Sequence, residues 1–374
     1  MRTAPAMGRF RLSSPVWLFG RTVDLSVFLG PAAAALLLVA VAQRQGWLDH
    51  ETPEWTWVAG VLLVDVAHVY ATAFRVYLLP SEWRRRPWLY GLTPALALVL
   101  GWAVASESEA WFWRLLAYLA VFHFVRQQYG WVAWYRARAG ERDRWGAALD
   151  SLAIYLATIY PLAYWHAHLP RNFWWFLPGD FVGLPPALAS CLAPLHGLAL
   201  CAYALRSVLR GIGSGFWNPG KDLVVATTAA CWYVGIVALN SDFAFTVTNV
   251  LIHGVPYLAL TWRYARLTGQ PSWQPRSPWA FGVLFLATVW LLAYGEELLW
   301  DRTIWHERGW LFGSARIEGN RSFWLALLAV PQITHYVLDG FIWRQSSNPQ
   351  LRVLLEQQPV ADPVAQLAVP RLSR

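Results

Sequence analysis

Ten separate blocks of apolar residues constrain this chain more than any other feature in it. They cover roughly 25–43, 56–79, 89–106, 110–135, 147–168, 184–205, 223–240, 243–262, 279–296 and 322–343. Each approaches the roughly 18–25 residues that an α-helix needs to cross a hydrocarbon core of about 30 Å. A segment in hydrocarbon must satisfy its own backbone, which leaves helices or a closed barrel. The strict alternation of a barrel strand is absent. The composition agrees: 57% of the 374 residues are hydrophobic and 14% are charged, against about a quarter charged in soluble domains. The expected fold is therefore an all-α, polytopic transmembrane helical bundle of about ten spans. Residues 1–24 form a basic N-terminal segment, 25–343 the membrane domain, and 344–374 a loosely ordered or surface-lying tail.

The charges set an orientation. The formal net charge is +8, and Lys221 is the only lysine among the cations. With the N-terminus in the cytoplasm, Arg84 to Arg86, Arg136 to Arg144, Arg206 to Lys221, Arg263 to Arg276 and both basic termini fall on one side. Only Arg44, Arg171, Arg302, Arg308, Arg316 and Arg321 fall on the other. Arginines that alternate loop by loop follow the positive-inside rule, with both termini cytoplasmic. The expected location is the inner (plasma) membrane of a bacterium, and the Arg-for-Lys bias fits a GC-rich genome. The lipid bilayer is then the main partner, and nucleic acid is excluded as the target of the positive charge. Tryptophans such as Trp55, Trp57, Trp88, Trp111, Trp131, Trp262, Trp279, Trp300 and Trp343 sit where apolar blocks meet polar loops, the expected aromatic belts. The first block reads as a span rather than a cleaved leader, because its basic prelude is too long. Cys191, Cys201 and Cys231 lie within blocks and show no disulfide or zinc spacing.

Histidines carry the functional signal. His68, His123, His196, His253 and His335 each occupy an even-numbered span, 10 to 13 residues from its outer end. At 1.5 Å per residue the spread in depth is only about 5 Å. Four of the five share a helix face with polar residues at spacings of three and four: Asp65 and Thr72 with His68, Arg126 and Gln127 with His123, Asn249 and Tyr257 with His253, and Gln332 and Asp339 with His335. Such stripes must face the bundle interior. His196 has only Leu192, Ala193, Ala199 and Leu200 around it and reads as structural. His166, His168, His50 and His306 lie at outer ends and should be solvated.

Neutral imidazole is a favoured ligand of iron, zinc and copper. Four imidazoles on four helices, with Asp65 and Asp339 as carboxylate ligands or supports, suit a non-haem iron or di-iron site. Gln127, Asn249 and Tyr257 would orient the imidazoles. Arg75 and Arg126, nearer the cytoplasm, would hold an anionic headgroup or balance the carboxylates. The reading is an intramembrane, iron-dependent oxidoreductase or oxygenase acting on a hydrophobic small molecule. Competing readings are a haem or another transition metal on the same imidazoles, a proton-coupled transporter or channel, and a scaffold without chemistry, since polar residues also join membrane helices.

The stretches Ala67-His68, Phe122-His123-Phe124, Leu251-Ile252-His253-Gly254 and Thr334-His335-Tyr336 resemble, in order and on separate spans, the scattered histidines of bacterial Brp/Blh-type β-carotene dioxygenases. The resemblance implies a membrane-embedded enzyme whose histidine-bound iron cleaves an apolar polyene. The family's HxxxH pair reads His253…Tyr257 here.

Overall fold

A computed structural model describes residues 15–49, 52–173, 179–268, 274–351 and 354. Among them the chain is helices joined by short connections, with no strand. Nine helices are long and apolar enough to cross a membrane: α1 (Arg21–Gln45), α2 (Glu54–Tyr77), α3 (Pro87–Glu107), α5 (Arg144–Ala167), α6 (Pro186–Ser214), α7 (Pro219–Ala238), α8 (Asp242–Thr268), α9 (Pro278–Trp305) and α10 (Arg321–Ile342). Helix α4 (Glu109–Ala139) has 31 residues, about 46 Å of rise. Its apolar character is diluted by Arg114, His123, Arg126, Gln127 and Gln128.

Position in the bundle follows the polar stripes. Helices α2 and α8 are the most enclosed, whereas α3, α6 and α9 expose most of their apolar surface. Helix α3 packs along α10, and α6 along α5. The central helices are locally unwound: α2 is π-helical over Trp57–Val66 and Ala73–Tyr77, on either side of His68. Helix α8 is π-helical over Thr246–Val250, just before His253. Such turns are frequent at functional sites. Pro256 and Pro331 interrupt α8 and α10 beside the histidines, which a membrane helix tolerates where neighbouring helices satisfy the freed backbone groups.

The charge-rich loops gather at one end of the bundle. There Lys221, with a side chain 4% exposed, bridges Glu141 at 3.0 Å and Asp150 at 2.8 Å. Arg210 lies 2.6 Å from Glu141, Asn218 donates to it at 2.8 Å, and Arg136 reaches both Glu141 and Asp150. This network ties α4, α5, α6 and α7 together.

Several expectations change here. Helix α1 starts at Arg21 rather than near Leu25, because Asp24 is buried, accepts from the Leu18 and Phe19 amides, and takes the Tyr135 hydroxyl at 2.7 Å. Residues 344–351 of the predicted tail dock against the bundle: Arg85 binds Asn348 and Gln350, Arg86 binds the Ser347 carbonyl, and Leu351 is fully buried. The rest of the tail, apart from Leu354, lies outside the described residues, as do residues 1–14. The predicted outer loop 297–321 is partly helix, since α9 continues to Trp305. Not every boundary tryptophan is an anchor: Trp88 and Trp279 are exposed, but Trp57, Trp131 and Trp300 are interior.

Burial opposes ionisation of Glu141, but the Asn218 hydrogen bond and the Lys221 ammonium outweigh it and hold the carboxyl below its usual range. A depressed carboxylate contributes stability above its unfolded pKa and loses it as pH falls through the folded value. Lys221→Met should therefore destabilise the folded protein by about 3 kcal/mol, the low end for a broken buried pair because Arg136 and Arg210 remain. Thermal unfolding in detergent at neutral pH measures the loss, and the gap from wild type should narrow below the normal carboxylate range.

Candidate metal centre

His68, His123, His253 and His335 come together from α2, α4, α8 and α10, each no more than 3% exposed. Their rings form a closed group. Centroids of neighbours are 4.6 Å apart for His68 and His253, 4.9 Å for His253 and His123, 4.6 Å for His123 and His335, and 4.8 Å for His335 and His68. The Nε2 atoms of His253 and His68 are 3.1 Å apart, and those of His335 and His123 are 3.2 Å apart. His68, His123 and His335 each offer a nitrogen within 4.8 Å of the others. Two imidazoles on one tetrahedral ion, with bonds of 2.0–2.1 Å, place their nitrogens about 3.3 Å apart. The two close pairs match that separation, and His68, His123 and His335 form a triad close enough to hold one metal ion, with His253 paired to its edge through His68.

Glycine makes this approach possible. A Cβ on Gly254 would lie 2.6 Å from the Val64 side chain and 3.2 Å from its carbonyl oxygen. Only a bare Cα lets α8 sit this close to α2, and that contact sets His253 beside His68. Phe124 from α4 stacks on the His253 ring at 3.7 Å and 6°, and Tyr336 stacks on His123 at 4.8 Å.

Three of the four outward nitrogens face an oxygen-bearing side chain. His68 Nδ1 faces Asp65 Oδ1 at 3.6 Å, and His123 Nδ1 faces Asp339 Oδ2 at 3.7 Å. Both are longer than a hydrogen bond. His335 Nδ1 meets the Thr72 hydroxyl at 2.8 Å. A carboxylate accepts and does not donate when ionised, and one set behind a metal-binding imidazole is a common support for the ring. Tyr257 donates to Asp339 Oδ1 at 2.8 Å, and the Trp343 indole lies 3.4 Å from the same hydroxyl. His253 Nδ1 is buried without a hydrogen-bond partner.

Other predicted residues take different places. Gln127 donates to the His253 backbone carbonyl at 2.8 Å, so it steadies α8 rather than an imidazole. Asn249 donates to the Phe245 carbonyl and the Thr248 hydroxyl, each at 3.1 Å, and to no imidazole. Arg75 is fully buried and cannot meet a headgroup. It pairs with Glu82 at 2.9 Å and donates to the Ile342 carbonyl at 2.7 Å, because the chain turns back after α2 and delivers Glu82 to it. Arg126 is exposed on α4, over Tyr129 at 4.8 Å and bonded to the Tyr155 hydroxyl. Three residues beyond His123, it has already rotated off the inward face. His196 packs between Tyr160 and Tyr233, apart from the four. His166 is not solvated: it is 8% exposed and its Nε2 lies 3.1 Å from the Tyr118 hydroxyl.

A cavity of about 210 Å³ lies against this group, toward the end of the bundle opposite the charge-rich loops. Asp65, Phe124 and Tyr336, which touch the imidazoles, also line it. Six tryptophans form much of the wall: Trp57, Trp113, Trp165, Trp232, Trp300 and Trp305. By sequence position alone, boundary tryptophans read as lipid anchors. Distance from a loop says where a residue lies along a helix and not which way it faces. Glu297 and His166, also in the wall, carry no spacing signal.

Comparison with protein-family models, curated proteins and solved structures gave no match to this chain.

Gly254→Ala should lower stability by about 1–3 kcal/mol, the usual cost of overpacking. Gly130→Ala, whose Cβ would meet nothing within 4 Å, should be neutral or slightly stabilising. Paired thermal melts in one detergent check both, and equal melting points for the two variants would contradict the close contact between α2 and α8.

Proposed function

We propose that the four imidazoles hold one iron ion and that the protein is a membrane-embedded, iron-dependent oxidoreductase acting on a lipid-soluble substrate. The observation that carries this reading is the inward convergence of imidazole nitrogens at 3.1 and 3.2 Å, with acceptors set behind three of the four rings. Lone pairs turned toward one another at such distances repel unless a proton or a cation lies between them. An ion answers all four at once, whereas shared protons leave the carboxylates without a purpose.

Bound there, iron would supply redox and oxygen chemistry beside the tryptophan-lined cavity. The chain's own residues do the remaining work. Thr72 would hold the His335 ring through its hydrogen bond, Asp65 and Asp339 stand beside His68 and His123 as charge partners, and Tyr257 holds Asp339 in turn. Carboxylate support of this kind raises ligand basicity. Phe124 and Tyr336 stand between the imidazoles and the cavity, and the tryptophan wall binds an apolar body while excluding water. On the other side, Tyr257, Trp343 and the Arg75–Glu82 pair close the bundle.

Haem fits less well than a single ion. Two axial imidazoles on one iron leave about 4 Å between their nitrogens, with a macrocycle in the gap. Here the rings touch one another on each side.

Ten spans complete the reading, with α4 as the fourth, both termini in the cytoplasm and the charge-rich end facing inward, in a bacterial plasma membrane. The support is the alternation of arginines between helix ends.

Protein purified after growth in iron-supplemented medium should carry about one iron per chain by mass spectrometry. His68→Ala, His123→Ala and His335→Ala should each bring that below about a tenth, while His196→Ala leaves it unchanged. Wild type with less than about 0.2 metal per chain would overturn the proposal. For orientation, alkaline phosphatase fused after Arg316 should be active and fused after Arg142 inactive, and the reverse pattern would invert the topology.

A further inference from the structure

Most polar groups in the wall of the cavity beside the imidazoles are already engaged. Asp65 stands beside His68 at 3.6 Å. The Arg308 guanidinium acts on Glu297 within the wall and lies 3.3 Å from Glu54. Asp180 is buried and has its own partner. His166 meets the Leu162 carbonyl through Nδ1 at 2.6 Å and the Tyr118 hydroxyl through Nε2 at 3.1 Å. Asn249 directs its amide to the Phe245 carbonyl and the Thr248 hydroxyl, and its oxygen is buried without a partner and shows no surface to the cavity. Gln332 and Tyr336 differ. Both line the cavity and both are only partly buried. Among the described residues, no hydrogen bond joins either side chain to the protein. They are four residues apart on α10, on one face of the helix.

Position gives this pair its meaning. Tyr336 stacks on His123 at 4.8 Å and lies 5.6 Å from the His335 ring. A group held by its hydroxyl is therefore at the imidazole end of the cavity. Gln332 stands one turn nearer the Arg321 end of the same helix. A phenol donates through its O–H and a glutamine amide through its N–H. Two donors one turn apart suit the two lone pairs of a carbonyl oxygen. Neither side chain carries a charge, so neither can neutralise an ionised head. Around them the wall is largely indole and aliphatic. Ligand pockets are commonly built this way, with an apolar lining and a few polar groups that fix orientation.

We propose that Gln332 and Tyr336 determine what the cavity takes: together they hold the carbonyl oxygen of an uncharged, lipophilic ketone or aldehyde beside the imidazole group, with its apolar body among the tryptophans. This deepens the proposed function and rests on it only for the view that the ligand is the substrate; the binding itself requires no metal.

Four probes on one butylphenyl body separate the head groups: 4-butylacetophenone, its hydrocarbon analogue 1-butyl-4-isopropylbenzene, 4-butylbenzoate and 1-(4-butylphenyl)ethylamine. Binding is read by titration calorimetry of the purified full chain in a neutral detergent. Each probe is corrected for its own uptake by empty micelles, and iron content is measured on the same sample. The ketone should bind at least about tenfold more tightly than the other three, a difference of about 1.4 kcal/mol. Tyr336→Phe, which keeps the ring on His123, and Gln332→Leu should each weaken the ketone at least about threefold, within the range for one neutral hydrogen bond. Both should leave the hydrocarbon unchanged, which also shows that the variant is folded; if one variant loses the hydrocarbon too, the other decides. Equal or tighter binding of the hydrocarbon or of either charged probe overturns the proposal, as does a ketone preference that a folded variant does not reduce. Ketone selectivity in protein that takes up no iron sinks the metal reading and leaves this one standing; iron without ketone selectivity does the reverse.

Discussion

A polar side chain inside a bilayer has no water to fall back on, and the whole centre of this molecule is shaped by that. Each imidazole must find partners among its neighbours or pay several kcal/mol. Four of them on four different helices therefore cannot be satisfied independently. They draw α2, α4, α8 and α10 to one place. The outer helices α3, α6 and α9 are free to be apolar on most sides because the central ones are not.

Close packing is the second requirement, and the sequence supplies it where the histidines need it. Gly254 admits Val64 of the facing helix. Gly235 does the same between α7 and α8, where a Cβ would lie 2.0 Å from the Thr248 hydroxyl. That contact bears on the orphan Asn249 oxygen, since Thr248 is one of the groups fixing the Asn249 amide. The π-helical stretches before His68 and His253 add residues to a turn and rotate the remainder of each helix. A stripe drawn at regular α-helical spacing therefore places Asn249 only approximately.

The parts of the structure legible without coordinates divide along this line. Nine of the ten apolar blocks fall on helices long and apolar enough to cross a membrane, and the fourth falls on α4, whose polar residues dilute it. The four histidines are legible because equal depth on helices of one direction is a simple sum along the chain. His196 is separable because its stripe is apolar. The angular position of a residue is not legible. Spacing puts Arg126 inward, and it faces out; depth assigns Arg75 to a headgroup, and it belongs to Glu82; position at block ends makes anchors of Trp57 and Trp300, and they wall a cavity. Each misplacement depends on which way a helix is turned, and that is set by partners distant in sequence.

Lys221 has one more consequence. The chain contains one ε-amine, and the fold keeps it 3% exposed between two carboxylates. An amine-directed reagent thus meets no accessible lysine on the closed bundle. It can modify that position only in molecules whose basic-end clamp has come apart. The residue is a built-in covalent clock for local opening at the end of the bundle where the ion pairs converge.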